Sequence, residues 1–428
     1  MGLGFCIKAS IQGEGIFRRK PTKKQVLANL EAALRKAVTD PLLREEMQVY
    51  REDAKMSVVL HPAAEPVEFT FDAKHNLVCN AKTNTAGPGY HAFLVELLER
   101  AASNCNFRWQ CDQQGDYLDE TGYWQQRDFH LLQGEMVHWL QVLSGALLEQ
   151  DAQQHFQLCL DMNLVGKIAG NYFAAYPLGY LSRDWFERVK QADWVMVREF
   201  AQEFFPWWGQ GMNANMWLKR SLVYAWCEIP WHAPANAHEK AIYRSASCCF
   251  RKARELDSSL IFPEDDLSEL ETFATQSFPS TLPPREQGIG FFRFANNWSL
   301  AGGWRINLPG YWYAEFDEEN GHVFWFGPHT VRISTMAIKD KDGTPLAASA
   351  MIVPFISRKD PANGEIIKRE KDDMVGVLQV TQRVDNGVAC QTAQGCWAMD
   401  GLICVVTIIS EDLTDRDWAL DIWQKISR

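Results

Sequence analysis

Residues 322–336 read HVFWFGPHTVRISTM, and their apolar positions alternate. His322–Phe326 and Val331–Met336 therefore predict two strands, each turning one face to a core. The pattern extends outward on both sides. Upstream, Phe291–Phe294, Trp304–Leu308 and Tyr311–Phe316 alternate in the same way. Downstream, Ala348–Val353, Val375–Val384, Gly387–Thr392 and Leu402–Ile409 continue it. Turn residues at Pro309-Gly310, Glu319-Asn320-Gly321 and Asp342-Gly343 separate the runs. Lys359–Asp373 is rich in charge and predicts a mobile loop. Thr414 stands where it would cap a closing helix, with Trp418, Ile422 and Trp423 on one face. Residues 288–428 thus predict an antiparallel, β-rich α+β domain.

Working back toward the N-terminus, Thr281–Gln287 contains Pro283-Pro284 and predicts a linker, because the character of the chain changes there. Residues 151–280 predict a mainly helical domain. Ser182-Arg183-Asp184 opens a helix, Met212–Trp226 and Ala237–Leu256 are two more, and one strand is expected at Phe156–Met162. Residues 1–150 predict an α+β domain. Phe5–Ile11, Met56–Leu60, Val67–Phe71 and Leu77–Ala81 read as strands. Thr22 and Gln25 form a capping box ahead of Val26, Leu27, Leu30, Ala33, Leu34, Ala37 and Val38, which repeat at helical spacing. Helices are expected at Tyr90–Ala102 and Asp128–Leu148. No repeat of fixed period occurs. The predicted fold class is α+β and multidomain: an N-terminal α+β region, a helical middle and a C-terminal antiparallel sheet with a closing helix.

Composition narrows the function. The chain has 428 residues, 46% hydrophobic and 23% charged, with a formal net charge of −11. Phosphate neutralisation needs surplus Lys and Arg, so nucleic acid and anionic membrane are disfavoured as partners. A basic protein partner is favoured by the same charge. Eleven Cys at irregular spacing, mostly beside apolar residues, predict reduced buried thiols and a cytoplasmic location. MGLGFCIKAS lacks the pattern of a signal peptide, and Cys6 stands where an acylation motif needs Ser or Thr. No apolar run approaches the roughly 18 residues of a membrane span.

Motifs are sparse. Gly-x-Ser-x-Gly, a Walker loop, a dinucleotide fingerprint and a kinase set are all missing, so no cofactor is expected. Cys and His spacing predicts no metal site. The turn Thr83–Gly89 before a helix is the best candidate for anion binding, through Gly87 and Gly89. Near it, His91 and the pair Glu135–His138, three residues apart, are the candidates for acid–base chemistry. Phe204–Trp231 holds Phe204, Phe205, Trp207, Trp208, Trp217, Tyr224, Trp226 and Trp231. These predict either a helical core or an aromatic groove whose anchors are Trp207, Trp208, Trp217 and Trp231. Asp265 and Asp266, with Glu264 and Glu269, would give that groove an acidic rim. Asp119 and Glu120, with Asp116, form a second acidic cluster beside Tyr117, Tyr123 and Trp124.

The leading expectation is a non-catalytic cytoplasmic protein-binding protein, in one version a bacterial immunity-type protein that covers the active site of a toxin. The alternatives are a hydrolase with its site near the Gly87–Gly89 turn, and a scaffold that pairs through an edge of its C-terminal sheet.

Overall fold

The computed structural model describes residues 2–11, 21–105, 107–112, 114–151, 154–160, 164, 172–275, 285, 287–317, 321–357, 364–385 and 387–428. The Pro283-Pro284 linker lies outside them. The chain divides into two compact units: Met1–Val165, Gly170–Ile229 and Asn236–Gln276 form the first, and Gly166–Ala169, Pro230–Ala235 and Ser277–Arg428 the second. The N-terminal α+β region and nearly all of the helical middle therefore share one unit. Mixed helices and antiparallel sheets make the fold α+β and multidomain, as the sequence predicts.

The first unit opens with β1 (Gly4–Ala9), α1 (Lys23–Ala37), α2 (Pro41–Glu46), β2 (Gln48–Arg51), β3 (Met56–Val59), β4 (Val67–Phe71), β5 (Leu77–Lys82), α3 (Pro88–Asn104) and β6 (Trp109–Gln110). Its six strands pair antiparallel in the order β2-β3-β4-β5-β1-β6. One face carries Phe5, Ile7, Met56, Val58, Val67, Phe69, Leu77 and Cys79, all buried. α1 begins at the predicted capping box, in which Gln25 N donates to Thr22 Oγ1 and Thr22 N to Gln25 Oε1. Val26, Leu27, Leu30, Ala33, Leu34 and Ala37 are buried. Asp40 then caps α2, with Pro41 at its first position, so this proline starts a helix as well as following one.

Next come α4 (Tyr123–Gln126), α5 (Phe129–Leu148), β7 (Phe156–Gln157), β8 (Ala174–Tyr176), β9 (Gly179–Leu181), α6 (Arg183–Gln191), α7 (Trp194–Phe204), α8 (Ala214–Cys227), α9 (Ala237–Leu256) and α10 (Glu264–Thr275). Side-chain caps set several helix starts: Asp128, Ser182, Asp193, Asn213 and Asn236 each accept from a backbone N–H of the first turn. The strand expected at Phe156–Met162 keeps only Phe156–Gln157. Cys159 at φ +57 ends its extended course, and residues 161 and 162 lie outside the described set.

The second unit holds β10 (Asn296–Ser299), β11 (Arg305–Leu308), β12 (Tyr313–Asp317), β13 (Gly321–Phe326), β14 (His329–Ala337), α11 (Ala348–Ser357), β15 (Glu365–Lys371), β16 (Met374–Asp385), β17 (Val388–Met399), β18 (Leu402–Ser410), α12 (Arg416–Gln424) and β19 (Ile426–Ser427). Seven strands pair antiparallel as β12-β13-β14-β18-β17-β16-β15, and β10-β11-β19 form a smaller sheet. One face of the large sheet buries Phe324, Phe326, Val331, Ile333, Leu378, Trp397, Val406 and Ile408 with Ile422 and Trp423 of α12. Trp397 stacks on Trp423 at 4.7 Å and donates to its carbonyl at 3.0 Å.

Four expectations change here. Ala348–Val353 belongs to a helix, because its continuous apolar run suits either structure and Ala348 and Met351, one turn apart, both face Val377, Cys396 and Ile403. Within Lys359–Asp373, Glu365–Lys371 form β15, and their charges stand on the outermost strand of the sheet. Phe291–Arg293 is a turn of 3₁₀ helix. Asp415, not Thr414, holds the cap position of α12, and Thr414 instead donates to Asp412. No described helix is long and apolar enough to cross a membrane.

Candidate functional site

The turn Thr83–Gly89 joins β5 to α3 and is wholly buried. Gly87 has φ +110, and a Cβ there would meet Phe205 at 2.7 Å. A Cβ on Gly89 would lie 2.1 Å from the Trp207 ring and 2.2 Å from the Gly209 carbonyl oxygen. Gly89 N donates to Trp207 O and Trp207 N to Ala86 O. These glycines let the chain around Trp207 lie against the helix start. The anion site expected at Gly87 and Gly89 is therefore filled by protein, and the N–H group of Gly89 is already used.

His91 follows in α3, also fully buried. Its Nδ1 is hydrogen-bonded to Thr83 Oγ1 at 2.8 Å and its Nε2 to Asp119 Oδ2 at 3.3 Å. Asp119 also accepts from the backbone N–H groups of Thr121 (2.9 Å) and Trp124 (2.7 Å) and from the Thr121 hydroxyl (2.8 Å). Burial pushes the Asp119 carboxyl up, but these hydrogen bonds and His91 outweigh it and hold it below the usual carboxylate range. Phe5 and Tyr123 meet the imidazole edge to face. Hydroxyl, imidazole and carboxylate stand in the order of a nucleophilic triad, yet all three are sealed from solvent. Asp119 is thus no acidic rim: its lone pairs are spent on a buried network. Glu120 is exposed and accepts from Gly4 N at 2.8 Å. His138 is exposed on α5 and Glu135 is half-buried, so the three acid–base candidates do not face solvent as one group.

The aromatic segment resolves mainly into core. Trp207, Trp217 and Trp231 are buried, as are Phe204 and Phe205. Lys252 lies over the Trp217 ring and Arg293 over Trp231, at 4.1 and 3.6 Å from the ring centroids. These three indoles cannot anchor a partner. Trp208 and Trp226 are half-buried, Trp208 stacked on Phe205. In α10, Asp265 is exposed but Asp266 is buried.

Among the described residues of the first unit, two surfaces stand open. The first lies where α7 begins. Asp193 caps it, and the next three residues, Trp194, Val195 and Met196, are 49%, 69% and 49% exposed. Core positions start only at Val197 and continue through Phe200, Ala201 and Phe204. Trp194 rests on α5 at Gly134, where a Cβ would lie 3.3 Å from its ring. Leu131, His138 and Val142 are exposed on α5 at helical spacing from Gly134. In the sequence, the helix opened by Ser182-Arg183-Asp184 is followed by apolar positions at Phe186, Val189, Val195, Val197 and Phe200 within one long polar stretch. The Asp193 cap was the signal that divides it and leaves the first turn of α7 outside the core.

The second is a groove of about 960 Å³, lined by Leu42, Glu45, Glu46, Gln48, Tyr224 and residues of α9 and α10. Beside its floor lies an ion pair, Arg220 with Glu46, in which Arg220 Nη2 donates to Glu46 Oε2 at 2.6 Å and Nε at 3.0 Å. Their side chains are 2% and 4% exposed. Arg220 Nη1 donates to Leu60 O, and the Tyr224 hydroxyl donates to the same Glu46 oxygen at 3.2 Å. Burial alone would lower the guanidinium's proton affinity; Tyr224, Glu46 and Cys249 more than reverse that. Burial pushes the Tyr224 hydroxyl and the Cys249 thiol up, so neither is an activated nucleophile. The pair spans 174 positions, a separation for which a single sequence offers no pattern.

In the second unit the outermost strands are β12 and β15. β15 exposes Lys368, Arg369 and Glu370, charges that resist pairing with a further strand. Among the described residues, no three His, Cys, Asp or Glu side chains gather to hold a metal ion.

No family model matches the chain, and no curated protein matches it. Among solved structures, a protein of Bacteroides thetaiotaomicron VPI-5482 is similar at a TM-score of 0.26 and 10% identity, over 31% of this chain and 47% of its own. The chain thus spans under half the length of that relative. Cyanobacterial PsbP (CyanoP) from Synechocystis sp. PCC 6803 is similar at a TM-score of 0.23 and 12% identity, over 31% of this chain and 91% of its own. Likeness at this level assigns neither fold nor function.

Proposed function

We propose that the chain is a non-catalytic, cytoplasmic protein-binding protein whose anchor is the first turn of α7. One observation carries the reading: Trp194, Val195 and Met196 are consecutive, large, apolar and open to solvent. Isolated exposed apolar residues are ordinary, but three in one turn beside Leu131 and Val142 make a patch of the kind that partners cover. The net charge of −11 favours a basic partner by steering its encounter. Covering a toxin's active site, as an immunity-type protein does, is one role such a surface fits, since it requires steric cover and no chemistry. The sealing of His91 and Asp119 weighs against the hydrolase alternative.

The test uses wild-type chain and Trp194→Asp as paired baits in the native cell extract. A partner retained at 1:1 by the wild type should leave with the variant while circular dichroism and melting stay unchanged. Trp194→Ala should cost about 2 kcal/mol or more in affinity for that partner. Retention of no stoichiometric partner, or equal retention by both baits, overturns the reading.

A further inference from the structure

Among the described residues of the first unit, a second surface combines an unpaired sheet edge with the α9 groove. β2 is the outermost strand on its side of the six-stranded sheet. Its pairing with β3 runs Gln48↔Val59, Val49↔Val58, Tyr50↔Ser57 and Arg51↔Met56. At the hairpin end, Glu52 N donates to Lys55 O at 2.8 Å. Hydrogen-bonded and non-hydrogen-bonded pairs alternate along an antiparallel ladder. Counting back from Glu52 and Lys55, Tyr50 and Gln48 point their backbone groups toward β3. Val49 and Arg51 point theirs outward. The strand is solvent-facing: Gln48, Tyr50 and Arg51 are exposed. It is therefore a template for one more strand.

The groove begins at the same place, since Gln48 lines it. Its direction follows from two ion pairs. Arg244 meets Glu45 at 3.2 Å, and Lys252 meets Asp40. α9 therefore runs antiparallel to the 40–48 segment, with its His238 end toward β2 and its Arg251 end away from it. From His238 to Arg251 is about 20 Å at helical rise, the length of about six extended residues. Leu42, Ala237, Ala241, Ile242 and Ala274 give the walls apolar area. Arg251 is exposed, and among the described residues its guanidinium meets the Cys248 sulfur, at 3.6 Å.

We propose that the β2 edge and the α9 groove form one recognition site for an extended peptide segment that carries a carboxylate. The peptide's main chain adds to β2 through Val49 and Arg51. The segment then enters the groove at the His238 end and offers its carboxylate to Arg251. This rests on the reading that the chain binds proteins, but it uses a surface separate from Trp194, so the two can fail independently.

A displayed library of random 12-residue peptides, selected on the full chain, tests it. Selected peptides should be rich in β-branched residues followed by Asp, Glu or a free C-terminus. They should slow hydrogen exchange at the amides of Val49 and Arg51. Methylating alternate peptide nitrogens should weaken binding at least tenfold, with the protein itself unchanged. Arg251→Glu should do the same, and Trp194→Asp should leave binding intact. Absence of selection, no added protection at Val49 and Arg51, or binding indifferent to both the methylated peptides and Arg251→Glu would each overturn the proposal.

Discussion

Arg220 shows how much one side chain settles. Its guanidinium is removed from water and gains Glu46, Tyr224 and a backbone carbonyl in exchange. Removing one partner strands the other charge in the interior, which costs about 3–5 kcal/mol. Arg220→Met should therefore lower the unfolding free energy read from a urea titration by that much, and Glu46→Leu by a comparable amount. The double variant Glu46→Leu with Arg220→Met should recover a large part of either loss, because no charge is left behind. A double variant as weak as the sum of the two singles would contradict this account. Little of the residue scale was legible in advance. His91 stood out in the sequence, but its role is set by Thr83, eight positions back, and by Asp119, twenty-eight on. Trp207 and Trp217 read as core, with an anchor role as the alternative, since composition records apolar area and not which side of it meets water.

Elements were more legible, where local chemistry decides them. The Thr22–Gln25 box, the stripe from Val26 to Ala37 and the alternation of His322–Phe326 all carry their reasons within a few residues. Ala348–Val353 failed because an unbroken apolar run has no period to read. β2 was missed because its four residues are mostly exposed and show no alternation. The strand-to-helix turn illustrates a third situation: its glycines were visible, but the neighbour that requires them is Trp207, far along the chain. Gly89→Ala would drive a methyl group into the Trp207 ring and the Gly209 carbonyl. Overpacking of this kind costs about 1–3 kcal/mol or more, so its melting temperature should fall well below that of an Ala substitution at Gly145 in α5, where a Cβ would come no nearer to a neighbour than 4.0 Å, at Lys190 Cε. Equal melting of the two variants would remove the close-approach explanation for Gly89.

For the molecule as a whole, buried titrating groups set the response to acid. Burial, helped by the charge of Arg220, holds His61 well below its ordinary imidazole value. The unfolded chain takes up that proton below about pH 6.5 while the folded chain refuses it, so stability falls as pH drops through that point. Asp119 is held below its ordinary value, and its contribution is present above about pH 4 and lost as pH falls through the lower folded value. Stability should then decline in two stages, each with a slope near 1.4 kcal/mol per pH unit for each group. Urea midpoints across pH 7 to 3 measure it, and His61→Gln should flatten the first stage by one proton. An unchanged slope in that variant would assign the acid sensitivity elsewhere. The coupling of Glu46 to Arg220 also has a consequence for descent. A lineage that changes either residue alone passes through a crippled intermediate, so the two positions should be inherited or replaced together. Homologues, once aligned, should show positions 46 and 220 varying as a pair although they lie on different helices.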